Sequence, residues 1–473
     1  MTLWTGQELN QIFSSHLPEN LTISGISIDT RTLNPGDLFV ALNGEGRDGH
    51  EFLNQAVKAG AAAVMVHQDI PGFSLPQIVV NDTLSGLILL GQTARQRTKA
   101  CIIAITGSVG KTSTKEILAQ VLARFGTVSY AHASYNNHWG VPLSLARMAR
   151  DVDWAILEIG MNNPGEIAPL AQLVKPDIAI ITTIAPAHIG HMKSLQTIAK
   201  EKAQIFQGLQ PGGVAIIPCD IPDYDILAAT AQQCGAQTIL TVGQKKGADF
   251  SCIQYQDQHS GQGCLITIDA MGHHFNCSLS LRGEHFAHIA LIIYSVAYVL
   301  QLDLKNIGSA LSQAKAVKGR GQHHQLTING KPIYLVDDAY NANLTSMLAG
   351  LKVLTSLTPQ HNGRRIAVVG EMLELGNFAE EHHCQMAQFL IDQPIDKVFA
   401  TGGVAMKQGY YVLPEHLRGG YTSQAQDLVP ILLEDLQPND VIYVKGSKGS
   451  RVSLVVDALL TQSNGSKISE NIQ

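Results

Sequence analysis

Gly107, Gly110, Lys111 and Thr112 lie together in ITGSVGKTS, residues 105–113. A glycine-rich turn between an apolar run and a helical pattern offers an anion a row of backbone N–H groups and the positive end of a helix. Lys111 would reach the outer phosphates of a nucleotide, Thr112 would give its hydroxyl to a divalent cation, and the turn residues Ser108, Val109 and Ser113 would complete the cradle. The spacing departs from the usual phosphate loop, because the position five before Gly110 is Ile105 and the first glycine is Gly107. Such a loop could serve motion or switching, phosphorylation of a substrate, or activation of a carboxylate for bond making.

Ligands of open α/β sheets gather at the carboxyl ends of the strands, so the residues after each buried run are the next candidates. WAILEIGMNNPGE sets Glu158 at the end of an apolar strand, IAIITTIAPAHIG leads into a loop with His188, and ASYNNHWG carries Asn136 and Asn137. A carboxylate and an imidazole could share a divalent ion, although His188 by itself reads as a loop histidine. In SLQTIAKEKAQIFQGL, helical spacing puts Leu195, Ile198, Ile205, Phe206 and Leu209 on one stripe, with Lys202 in its middle and Lys200 pointing away. Lys202 either snorkels to water or, if desolvated, has a lowered pKa and an amine free for covalent chemistry.

These residues need elements to carry them. ACIIAIT is a continuous apolar run, as a parallel strand buried on both faces requires, and TSTKEILAQVLARFG reads as a helix with Ile117, Leu118, Val121, Leu122 and Phe125 on one face, stopping at Gly126. Residues 1–83 read as a small α/β domain containing DLFVAL and AAAVMV. Residues 84–317 read as a large central α/β domain with an irregular, turn-rich stretch around 245–280. Residues 318–473 read as a second doubly wound sheet built from PIYLVDD, RIAVVGEM, KVFATGG and DVIYVKGS, with a frayed polar tail after Leu460.

The whole is an α/β protein of three domains. Its 473 residues and net charge of −6 give no electrostatic footprint for nucleic acid. The apolar run IALIIYSVAYVLQL from residue 289 is too short to span a bilayer and reads as a buried core helix, so no membrane insertion is expected. MTLWTGQELNQ has no signal-peptide pattern, and seven scattered cysteines without a CxxC pair fit a reducing compartment, so a cytoplasmic location is expected. His273–His274 near Cys277, and His323–His324, lack a complete ligand set and read as surface or strand histidines.

TGSVGKTSTKE, NNHWGVPLSL, LEIGMNNPGEI, TTIAPAHIG, AKEKAQIF, VKGRGQ, DDAYNANLTSM, GEMLELG and VKGS occur in the order that the Mur ligases of peptidoglycan synthesis show. The chain resembles that family through all three segments, and within it the member that handles D-alanyl-D-alanine. The resemblance implies a small uridine-nucleotide domain, a central P-loop ATPase domain and a Rossmann-like third domain. It also implies ATP and two Mg²⁺ as cofactors, UDP-N-acetylmuramoyl-tripeptide and D-alanyl-D-alanine as partners, and action as a monomer.

For the residues, the resemblance assigns Lys111 and Thr112 to ATP and Mg²⁺, Glu158 and His188 to magnesium, and Lys202 to a carbamate that would bind a second Mg²⁺. Arg320 would approach the γ-phosphate, and Asn137 joins the catalytic set. Asp338 would face the nucleotide, and Tyr340, Asn341 and Asn343, with Asn136 and Asn137, the substrates. Asp29, Thr30, Arg31, Asn43, Gly44, Asp48, Gly49 and His50 match the uridine-nucleotide domain. The third domain is expected to rotate onto the second when ATP binds.

Several positions depart from the family pattern. The adenine segment reads GEHFAHI, with Phe286 and Ile289 where asparagines are usual; Glu371 replaces an aspartate, Leu344 a proline or valine, and His138–Trp139 an acidic and aliphatic pair. A motor or switch would use the same loop, but it would need neither Lys202 on an apolar face nor a uridine domain.

Overall fold

The structure, a computed structural model, describes residues 2–44, 46–186, 189–192, 194–258 and 263–470. Three main sheets follow one another along the chain. The first is a parallel sheet of Gly25–Ser27, Asp37–Val40, Ala63–Val66 and Gln77–Val79. A short ladder of Asn43–Gly44 with Arg47–Asp48 stands beside it.

The central sheet has nine strands. From one edge they run Val128–Tyr130, Trp154–Glu158, Cys101–Thr106, Ile178–Ile181, Val214–Pro218, Thr238–Gly243, Phe250–Asp257, Cys264–Ala270 and His273–Leu279. Pairing is parallel as far as Phe250–Asp257 and antiparallel beyond it. The apolar run at 101–106 is explained by the two cores it serves. Ile102 and Ala104 face a core shared with Trp4, Leu38 and Leu87, whereas Ile103 and Ile105 face the helices Lys111–Leu122 and Glu284–Val299. Helix Glu284–Val299 is the buried core helix that its sequence implies.

The stretch expected to be irregular around 245–280 is instead the three-stranded end of this sheet. Its residues alternate between buried and exposed, as Cys264–Ala270 does, so a half-buried antiparallel extension forms without a long apolar run. His273 and His274 lie on the outermost strand.

The third sheet is ordered Gln322–Ile328, Lys331–Asp338, Val441–Lys445, Arg365–Gly370, Lys397–Thr401 and Arg418–Thr422, parallel except for its first pair. Its two edge strands are too polar to read as strands from sequence. Helix Ser453–Glu470 runs through most of the tail expected to fray; Ser463, buried, accepts a hydrogen bond from the Thr327 backbone at 3.1 Å and ties it to the sheet edge.

Two further helix boundaries differ from expectation. The phosphate-loop helix ends at Leu122, not at Gly126, and the helix carrying Lys202 ends at Ala203 and tightens to a 3₁₀ turn over Gln204–Gly208.

Candidate active site

Strand register brings the chemistry together. Glu158 pairs with Ile105, and Ile181 with Thr106, so Glu158, the loop starting at Gly107 and Thr182 all emerge at one end of the central sheet. Gly107 has φ +149°, and a Cβ there would lie 1.9 Å from the Thr182 hydroxyl, so no side chain fits this turn. The Thr182 hydroxyl donates to the Val109 carbonyl at 2.6 Å, and the Ser108 hydroxyl accepts from the Ala185 N–H at 3.0 Å. The loop is thereby pinned to the neighbouring strand end. Lys111 Nζ turns back onto the Gly107 carbonyl at 2.7 Å.

Thr112 is the hub. Its hydroxyl donates to Glu158 Oε2 at 2.9 Å, lies 3.0 Å from Ser134 Oγ, and accepts from Arg320 Nη2 at 3.0 Å. Asn136 Nδ2 donates to Glu158 Oε1 at 2.8 Å, so both carboxylate oxygens are held. Arg320 reaches this point because its neighbours Gly319 and Gly321 have φ +76° and +78°. The Gly319 N–H bonds to the buried Asp337 carboxylate at 2.9 Å, and the Gly321 N–H bonds to its carbonyl at 2.9 Å. Across the third sheet Asp338 pairs with Lys445, whose ammonium donates to Asp338 Oδ2 at 2.7 Å; the Tyr443 hydroxyl donates to the same oxygen at 2.6 Å.

These groups line one cavity of about 560 Å³ between the central and third sheets. Ser108, Val109, Gly110, Lys111, Thr112, Ser113, Asn136, Asn137, Glu158, Arg320, Asp338, Tyr340, Asn341 and Asn343 all contribute to its wall. Phe286 and Ile289 also line it, buried on helix Glu284–Val299, so this wall is apolar where the family pattern expects carboxamides. Burial lowers the pKa of Lys111, with Glu158 opposing the shift and Arg320 adding to it.

Lys202 is 1% exposed, as its place on the apolar stripe implies, and Lys200 is exposed. Burial, reinforced by the nearby Lys111 and opposed by Glu201, pushes the Lys202 pKa well below its ordinary value. His188 lies outside the described residues.

Other expected site residues have local jobs. Asn137 Oδ1 accepts the N–H groups of Trp139 and Gly140 at 3.2 and 2.9 Å, shaping the turn into helix Gly140–Ala146. Asn343 caps helix Leu344–Ser356, accepting from the Ser346 N–H at 2.9 Å. Asn341 Oδ1 accepts from the Ala342 N–H at 2.9 Å.

The first-domain set stands apart from the cavity lining. Arg31, with its side chain 84% exposed, pairs with Asp29; the Thr30 hydroxyl donates to Gln55 at 3.2 Å; and Asp48 holds the His50 ring at 2.6 Å. A Cβ on Gly49 would lie 2.7 Å from the Leu42 backbone. Asn43 and Gly44 form one side of the short ladder, and the Trp139 ring packs beside it, 2.7 Å from where a Gly44 Cβ would be.

Lys115 is a part of the site that the sequence does not announce. It is fully buried, with Nζ donating to the carbonyls of Ala131 and Ala133, 3.1 Å from Glu116 and 4.0 Å from Glu158. The usable signal is its i+4 spacing from Lys111, which puts both lysines on one helix face.

A phosphate loop and a buried carboxylate at one end of the central sheet, met by an arginine from the turn before the third sheet, define an enzyme that works on a nucleotide's phosphates. The chain belongs to the Mur ligase family. The family descriptions "Mur ligase family, catalytic domain", "Mur ligase middle domain" and "Mur ligase, glutamate ligase domain" match residues 22–124, 105–296 and 319–448. It is 34% identical over 450 residues to the UDP-N-acetylmuramoyl-tripeptide--D-alanyl-D-alanine ligase of Synechocystis, covering 95% of this chain and 94% of that one. To the Escherichia coli ligase of the same name it is 33% identical over 465 residues, covering 98% and 99%. The solved structure of MurF from Acinetobacter baumannii superposes with a TM-score of 0.83 at 29% identity, covering 97% and 99%. The fold is also that of the MurF ligase from Thermotoga maritima, with a TM-score of 0.79 at 22% identity and coverage of 95% and 100%.

Proposed function

We propose that this ligase joins D-alanyl-D-alanine to UDP-N-acetylmuramoyl-tripeptide at the expense of ATP, in the cytoplasmic synthesis of the peptidoglycan precursor. The observation that carries the reading is the meeting of Thr112, Glu158 and Arg320 in one cavity between two domains. The near full-length likeness to ligases of that name supplies the substrates.

A carboxylate is a poor electrophile and must be activated. The γ-phosphoryl group passes from ATP to the terminal carboxylate of the tripeptide: the bond to the ADP oxygen breaks and an acyl phosphate forms. The amine of D-alanyl-D-alanine then attacks the acyl carbon, a tetrahedral intermediate forms, and inorganic phosphate leaves. Lys111 and Arg320 would meet the charge that builds on the transferring group, giving positioning and electrostatic stabilisation. An acyl phosphate is vulnerable to water, so the site must keep water out while the amine arrives.

The oxygen donors of Thr112 and Glu158 fit a hard divalent cation, and a carbamate on Lys202 would add another oxygen; His188 belongs to the same proposed set. Bound there, Mg²⁺ would screen the repulsion between triphosphate and carboxylate. The buried, depressed Lys202 amine supports the carbamate reading, since only the neutral amine reacts with CO₂. Residues 1–83, with Thr30, Arg31, Asn43, Gly44, Asp48, Gly49 and His50, would hold the uridine nucleotide. Residues 84–317 would hold ATP, and residues 318–473, with Asp338, Asn341 and Asn343, would complete the site around the nucleotide and the dipeptide.

The test is phosphate release from Mg²⁺-ATP with the UDP-linked tripeptide and the dipeptide supplied separately and together. Turnover only with both, yielding a UDP-linked pentapeptide, is expected; turnover indifferent to both would return the chain to ATPases of another kind.

A further inference from the structure

Family resemblance sets Tyr340 against the nucleotide or the incoming dipeptide, but its contacts point elsewhere. The Tyr340 ring centroid lies 4.3 Å from the guanidinium carbon of Arg320, and Lys448 Nζ lies 5.9 Å from the same ring. The Tyr340 N–H donates to the Gly319 carbonyl at 3.0 Å, and a Cβ on Gly319 would come within 3.0 Å of Tyr340 Cβ. Ring and backbone of one residue thus grip the turn that carries Arg320. From that turn Arg320 crosses to Thr112. Among the described residues, no hydrogen bond to the Tyr340 hydroxyl accompanies these contacts.

An arginine side chain has several rotatable bonds, and between two glycines its backbone is also permissive. A planar cation resting on an aromatic face loses that freedom before the reaction begins. We propose that Tyr340 is a positioning residue that acts through Arg320: its ring holds the guanidinium against the phosphate-transfer site. The inference rests on the ligase reading above and adds to it the device that orients its cross-domain cation.

The experiment compares Tyr340→Phe, Tyr340→Leu, Arg320→Lys and the double variant Tyr340→Leu/Arg320→Lys in steady-state turnover, with thermal unfolding as a check on folding. Tyr340→Phe keeps the ring, so it should retain kcat within about twofold. Tyr340→Leu should lower kcat roughly 10- to 100-fold while leaving the KM for D-alanyl-D-alanine within about twofold, the range that misplacing a catalytic group produces. Because the tyrosine acts through the arginine, Tyr340→Leu should cost little further in the Arg320→Lys background. Additive losses in the double variant, or a dipeptide KM raised at least about tenfold in Tyr340→Phe, would overturn the inference in favour of direct contact with the substrate. A native chain that fails to turn over with both substrates present would instead overturn the ligase reading, so the two failures are distinguishable.

Discussion

The guanidinium of Arg320 donates to the Thr112 hydroxyl at 3.0 Å, joining residues 208 positions apart in the chain. The third domain therefore supplies a cation to a phosphate loop that belongs to the second. Replacing Arg320 with Lys keeps a charge and loses the planar fork, so kcat should fall about 10²- to 10³-fold with the KM for ATP within a few-fold. Steady-state kinetics over an ATP titration checks the split.

Gly107→Ala places a methyl group 1.9 Å from the Thr182 hydroxyl at φ +149°. The turn must open to admit it. Nucleotide binding should weaken, and the strain of the distorted turn, roughly 1–3 kcal/mol, should lower the thermal midpoint modestly without loss of secondary structure. Calorimetric titration with ATP and far-ultraviolet dichroism together separate the two effects.

Lys202 is a buried amine that folding must strip of its proton or bury charged. Its folded pKa is depressed, so the unfolded chain binds that proton more tightly, and stability rises with pH up to the ordinary lysine range near about 10.4. Lys202→Met should abolish turnover and, at neutral pH, leave thermal stability equal or higher. In Lys202→Ala, short carboxylic acids should restore part of the activity. A fully active Lys202→Met would remove this residue from the mechanism.

Lys115→Met leaves Glu116 and the carbonyls of Ala131 and Ala133 without their buried ammonium partner. Breaking one side of a buried pair costs about 3–5 kcal/mol, and urea unfolding should show a loss of that order. An unchanged midpoint would mean that the pocket relaxes to admit water.

His323, on the edge strand Gln322–Ile328 with Nδ1 2.8 Å from the Tyr334 hydroxyl, is held down to about 4 by burial, then by Arg282 and His324. In the unfolded chain it titrates near about 6.5. Between these values only the unfolded state takes up the proton, so this histidine's contribution to stability falls as pH drops from about 6.5 to about 4. Urea midpoints across that range should slope downward for the native chain and less steeply for His323→Phe.

Much of this site is visible in the sequence because its parts obey local rules. A phosphate loop needs glycines at fixed places, a doubly buried strand needs a run such as ACIIAIT, and Lys202 stands out against the apolar stripe around it. What the sequence hides depends on the path of the chain. Thr182 pins the loop only because its strand lies beside Cys101–Thr106, and Lys445 meets Asp338 only through strand order in the third sheet. Asn137 and Asn343 look like ligand contacts, whereas the hydrogen bonds they make shape helix starts, a use that spacing cannot reveal. The antiparallel end of the central sheet is hidden in the sequence because half-buried strands with polar alternate residues resemble loop in composition.

The same long-range pair has a meaning during biosynthesis. Domains fold in the order in which they leave the ribosome. The strand Cys101–Thr106 and its phosphate loop can form once the central sheet is assembled, when Arg320 and the sheet that anchors it are still to come. A truncated or half-made chain would carry a cradle for ATP without the cation that completes it, and could occupy the nucleotide without hydrolysing it wastefully.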